Sequence, residues 1–347
     1  MQASKLFLGV ALAALAATPA IANDSMATLS TGGLLFITTP DVEMASEDLS
    51  VSTSQVKVVY QFKNNGKTDQ HALIAFPMPD ITGDGDFMVA VPTEDRENIF
   101  GFKTIFDGKP VSAVLHQYAF AAGIDQSDYL RKLGIPLTPY GEDTQKKLNA
   151  LSDTDHQRLL QLGMVIPMDF DAGNGQQRDY TPVWTLKSTY SWEADFPAGK
   201  TVNVVHTYVP SVGGTSGVTF LGPDDPKSDY HPLADYQKKY CMDDDFVRSV
   251  RKTLPDPKEP YNAPFTESSI SYVWSTGANW SGPIGKFHLT IDKDKPDNLI
   301  SFCWDGKVAK TGPTSFEMSA TDFSPPQDHE LEILLLVHNH ADQSSGT

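Results

Sequence analysis

The chain has 347 residues, with 27 lysines and arginines against 44 aspartates and glutamates and a net charge of -17 when histidines are neutral. A body this acidic repels phosphate backbones, and no basic run offsets it, so nucleic acid is not an expected partner. Hydrophobic residues make up 40% of the chain, enough for a large core and for one or two lobes.

At the N-terminus a single cation, Lys5, precedes an apolar run over 6–15, then Pro19 and the small residues of Ala20-Ile21-Ala22. That succession predicts a secretory signal over 1–22 with cleavage before Asn23. The run falls short of the roughly 18 apolar residues of a membrane span, and the nearest later segment, 333–337, is shorter still. The expectation is a periplasmic or secreted bacterial protein with no transmembrane anchor after signal cleavage.

Beyond the signal, apolar and polar residues alternate with period two, the pattern of strands with one buried face. Over 56–62, Val56, Val58, Tyr60 and Phe62 share a face opposite Lys57 and Gln61; over 184–192, Trp184, Leu186, Tyr190 and Trp192 do the same. Similar runs fall at 71–76, 102–106, 202–209, 270–274, 287–291, 299–304, 315–320 and 331–337, most bounded by Gly, Pro, Asn or Asp. The spacing predicts a mainly β fold of antiparallel β-sandwich architecture. Helix formers over 120–170 mark a helical insertion. Asp243-Asp244-Asp245 ahead of Phe246 and the basic Arg248, Arg251 and Lys252 mark a short helix over 243–253. The implied organisation is an N-terminal β lobe over 23–225 carrying the insertion and a C-terminal β lobe over 226–347. In an exported chain the two cysteines, Cys241 and Cys303, are expected to form a disulfide.

Several segments resemble one secreted bacterial family, catalogued as domain of unknown function 4424. They are Asn23-Asp24-Ser25, Thr31-Gly32-Gly33-Leu34, Ser46-Glu47-Asp48-Leu49, Phe76-Pro77-Met78-Pro79-Asp80, the segment 275–284 around Trp280, and Ser301-Phe302-Cys303. The resemblance implies an extracytoplasmic protein and supplies no catalytic residue.

The enzyme motifs fail on geometry. Ser54-Gln55-Val56-Lys57 with Lys310-Thr311-Gly312 imitates the serine and lysine signatures of penicillin-recognising enzymes. That chemistry places serine and lysine one helical turn apart, whereas residues three apart on a strand face opposite ways. Gly213-Gly214-Thr215-Ser216-Gly217 has threonine where an esterase elbow has its serine. Asp80, Asp84 and Asp86 gather carboxylates on a turn able to wrap calcium, though Asp-Gly pairs also suit any tight turn. No other cofactor is expected. His338 and His340 share a strand face without a nearby third ligand. Trp280, beside Asn279 in a glycine-rich turn, is either a plug on the sandwich end, the reading favoured, or an exposed ligand contact.

These observations favour a non-catalytic binding or structural module whose partner is an envelope protein, a peptide or a glycan. The alternatives are an envelope hydrolase with a site assembled from dispersed Asp, Glu and His, and a calcium-stabilised structural module.

Overall fold

In the strand Val56–Asn64, the side chains of Val56, Val58, Tyr60 and Phe62 are at most 1% exposed while Lys57, Gln61 and Lys63 face water. A pleated strand with one buried face must alternate in this way. The protein is seen in a computed structural model that describes residues 25–339 except 31–32, 86–87, 172, 174 and 225–230. The expected signal, Asn23, Asp86 and His340 lie outside the described residues.

Val56–Asn64 belongs to an eight-stranded sheet. Its order is Ala309–Lys310, Ser315–Phe323, Ile284–Asp292, Val42–Val51, Val56–Asn64, Thr201–Tyr208, Lys103–Phe106 and Lys109–Val111. Every neighbour pair is antiparallel except one: Ile284–Asp292 runs parallel to Val42–Val51, with Lys286 opposite Ser46 and Ile291 opposite Val51. Gly285 opens that joint. A Cβ there would lie 2.7 Å from the carbonyl oxygen of Ala45, beside a register irregularity between Met44 and Ser46, so the close approach requires glycine.

Two more sheets pack on this one. The first is a seven-stranded sheet with Val114–Ala121, Thr185–Phe196, Gln70–Pro77 and Ser25–Ser30 along its middle; the second is ordered Leu299–Phe302, Leu331–His338, Phe265–Tyr272, Gly213–Thr215 and Met88–Val89. Phe62 meets Phe196 at 6.0 Å and His206 lies 5.1 Å from both Phe76 and Trp192, joining the eight- and seven-stranded sheets. The Tyr60 and Tyr272 hydroxyls, 3.1 Å apart, join the eight- and five-stranded sheets. One buried cluster runs through all three layers, and the fold is mainly β and sandwich-like as the alternation predicts. The 225/226 boundary does not separate sheets: the parallel joint places strands from both sides of it in one layer.

Within the insertion, helices Ser127–Leu133, Glu142–Asn149 and Asp153–Gln161 bury Leu130, Leu148 and Leu159 against Trp184. Its last part is not helical. Val165–Asp171 pairs with Gln176–Pro182 as a two-stranded hairpin, because Ile166, Met168 and Phe170 alternate with polar residues and Pro167 cannot sit inside a helix.

Helix Asp244–Arg251 falls inside the expected 243–253, and the Asp243 side chain caps it by accepting from the Phe246 amide at 2.6 Å. The helix before it, Pro232–Tyr240, was not anticipated from sequence. Together the two cover one face of Leu331–His338: Tyr240 and Val250 cluster with Leu334 and Leu336, while Leu331 and Ile333 join the central core. Burial on both faces accounts for the unbroken apolar run at 333–337. Among the described residues no helix is long and apolar enough to cross a membrane.

Candidate functional site

The helix Pro232–Tyr240 ends at Cys241, whose backbone takes the left-handed conformation at φ 50°. Its sulfur is bridged to Cys303, with the Cα atoms 5.0 Å apart. The expected disulfide therefore pins the turn between the two helices to the end of Leu299–Phe302, which the Ser301 hydroxyl also holds by donating to the Tyr240 carbonyl at 2.9 Å.

Among the described residues Leu299–Phe302 is an edge strand, paired on one side only, with Leu331–His338. A groove of about 360 Å³ runs along it. Phe246 of the second helix forms one wall, Ile300, Phe302 and Trp304 the floor, and Phe316 of the eight-stranded sheet, with Val308 just ahead of its strand Ala309–Lys310, the far wall. Val308 remains 41% exposed. Trp304 packs against Phe287 at 5.8 Å and Phe323 at 5.6 Å, which gives the floor aromatic surface beside Ile300.

Lys293 also lines the groove and is only 6% exposed. Its ammonium donates to the Pro296 carbonyl at 2.7 Å and to the Asn298 carbonyl, and the Asn298 amide returns a bond to the Lys293 carbonyl at 2.8 Å. Burial, followed by the charge of Lys310, draws the Lys293 ammonium below the usual lysine range. An ammonium has three donors, so one remains for a ligand. The groove thus combines an open strand edge, an apolar lining and one buried cation.

A second concavity, of about 670 Å³, lies by the C-terminal end of the same helix, between Leu221, Arg251, Leu254, Lys258, Glu259 and Tyr261.

The residues singled out by sequence lie elsewhere. Trp280 is 3% exposed, with its ring 4.3 Å from Phe62 and 5.9 Å from Phe196. Its turn is stitched to the N-terminal strands: the Thr39 amide donates to the Asn279 carbonyl at 3.0 Å, and the Asn279 side chain donates to the Ser25 hydroxyl at 3.0 Å. Neither Trp280 nor Asn279 lines either concavity. Asp80 accepts from Lys187 at 2.8 Å, and Asp84 lies beside Tyr140, whose hydroxyl burial and that nearby charge push up to about 12. Among the described residues no three His, Cys, Asp or Glu are grouped to hold a metal ion. His338 packs edge-on against Phe265 at 5.1 Å. Ser54 lies in a turn and Lys57 on an exposed strand face, so the penicillin-enzyme lookalike is not assembled.

His116 Nε2 lies 2.8 Å from the Ser191 hydroxyl, and burial lowers the imidazole pKa. However, His116 has no carboxylate partner among the described residues, and neither residue lines a concavity described above. The buried and half-buried carboxylates are tied into the fold: Glu47 accepts from Tyr272, Glu267 from Thr219, Thr215 and Tyr236, and Glu330 from Ser275 and the Trp274 amide.

A family model described as a domain of unknown function, DUF4424, matches residues 22–334. The chain belongs to the DUF4424 family. No curated protein matches it. A similar solved structure is that of a "putative nutrient binding protein" from Legionella pneumophila subsp. pneumophila str. Philadelphia 1, 15% identical, covering 91% of this chain and 70% of that one at a TM-score of 0.45. The groove has no local signature in this DUF4424 sequence, because its cation stands in the run Asp292-Lys293-Asp294-Lys295, whose alternating charges suit a solvated turn. The run 299–304 was legible as a strand, but not as an edge.

Proposed function

We propose that the protein is a non-catalytic, extracytoplasmic binding module that takes up an extended apolar peptide ending in a free carboxylate. The peptide lies along Leu299–Phe302 as an added strand. The observation that carries this reading is the open edge of that strand within a groove whose buried cation, Lys293, keeps a donor in reserve. An unpaired strand edge offers the backbone donors and acceptors that a further strand satisfies. Phe246, Trp304 and Phe316 take alternate apolar side chains. The carboxylate complements Lys293, and a charge-assisted bond in so dry a site is stronger than one at the surface. A signal-like N-terminus and the Cys241–Cys303 bridge support the extracytoplasmic setting.

The test is fluorescence anisotropy with a labelled hexapeptide of alternating valine and leucine, offered as free acid and as C-terminal amide. The acid is expected to bind at least about tenfold tighter, roughly 1.4 kcal/mol. Lys293→Met removes that preference, and Val308→Asp, at an exposed wall, weakens both peptides while leaving the melting temperature unchanged. Equal affinity for acid and amide in the unmodified protein would overturn the reading.

A further inference from the structure

We infer that the cleft near the C-terminal end of helix Asp244–Arg251 is a second binding site, built for a free amino acid with an apolar or aromatic side chain. Arg251 is the one arginine of the chain whose guanidinium makes no hydrogen bond or ion pair among the described residues; Arg96, Arg131, Arg158, Arg178 and Arg248 all engage a side chain. In a chain of net charge -17, a guanidinium with no carboxylate partner among the described residues is notable. Among the described residues Lys258, lining the same cleft, has no partner through its side chain either, and nor does Glu259. The three charges share one cavity of about 670 Å³ without neutralising one another: no ion pair within 4.0 Å links Glu259 to either cation.

Between them the surface is apolar. Leu221 and Leu254 contribute aliphatic lining, and Tyr261, 56% exposed, contributes an aromatic ring. Gly222 leaves the space that the tip of that ring occupies. A Cβ at Gly222 would stand 2.5 Å from the Tyr261 hydroxyl oxygen, so any side chain there would push the tyrosine away. Cations, a carboxylate and an apolar patch in one cleft match the three parts of an apolar amino acid. The planar guanidinium suits the ligand carboxylate, Glu259 suits its ammonium, and Leu221, Leu254 and Tyr261 suit its side chain. A simple anion would leave Glu259 repelling it, and a simple cation would face both Arg251 and Lys258.

The experiment is isothermal titration of the whole chain, without its expected signal, with L-phenylalanine. Hydrocinnamate, which lacks the ammonium, and phenethylamine, which lacks the carboxylate, serve as comparisons. Phenylalanine is expected to saturate the protein, with each analogue at least about tenfold weaker. Arg251→Gln should lose the preference for phenylalanine over phenethylamine, and Glu259→Gln the preference over hydrocinnamate. Lys293→Met should leave phenylalanine binding unchanged, which separates this cleft from the peptide groove. Absence of saturation at about 10 mM, equal binding of the analogues, or loss of phenylalanine binding in Lys293→Met would each overturn the inference.

Discussion

Trp280 shows how one side chain fixes the end of the sandwich. Its indole fills the space between Phe62 of the eight-stranded sheet and Phe196 of the seven-stranded sheet. Replacing it with alanine leaves a cavity that a turn tied to Thr39, Val42 and Ser25 cannot collapse into. Trp280→Ala should therefore destabilise the protein by about 3 kcal/mol in denaturant unfolding; a loss under about 1 kcal/mol would mean that the turn relaxes freely. At the surface, His71 lies between Asp195, at 2.7 Å, and Glu193, at 3.3 Å. The Asp195 hydrogen bond above all raises the imidazole pKa above its ordinary 6.5. A raised histidine pKa stabilises the folded state fully below the unfolded value, and the contribution is lost as pH rises through the folded value. NMR titration should place the His71 midpoint above 6.5, and Asp195→Asn should bring it down; an unchanged midpoint in that variant would contradict the assignment. The Trp280 turn could be singled out from sequence because glycines cluster around one aromatic. Lys293 could not, because only the fold buries it.

The disulfide acts on elements. It ties the turn between the two C-terminal helices to an edge strand across a separation of 62 residues, and the second helix carries the Phe246 wall of the groove. Cys303→Ser should lower stability by about 2–4 kcal/mol, measured by chemical unfolding under non-reducing conditions. It should also weaken peptide binding more than it weakens phenylalanine binding, because the bridge abuts the groove strand. Strand positions such as 56–62 and 202–209 were legible because alternation is a local property of the chain. The Val165–Asp171 hairpin and the Pro232–Tyr240 helix were not. The first was hidden in a range read as helical. The second is amphipathic through Leu233, Tyr236 and Tyr240 only once the five-stranded sheet lies beneath it. Whether a strand is central or at an edge depends on a partner distant in sequence, so the open side of Leu299–Phe302 has no local signature.

For the whole molecule, the eight-stranded sheet decides the architecture. Its parallel joint between Val42–Val51 and Ile284–Asp292 brings together segments more than 200 residues apart, so no hairpin pattern could reveal it. The joint makes the central sheet a single layer drawn from both halves of the sequence, on which the five-stranded sheet and its edge groove are mounted. Edge amides that lack a partner strand exchange rapidly with solvent, whereas amides within a ladder are protected. The measurement that tests the binding reading most directly is residue-resolved hydrogen exchange across Leu299–Phe302, with and without the free-acid hexapeptide at saturation. The peptide should slow exchange at alternate amides of this strand, those turned away from Leu331–His338, while the amides of Val56–Asn64 stay unchanged. Saturable binding that leaves the exchange of Leu299–Phe302 unaltered would contradict strand addition at this edge.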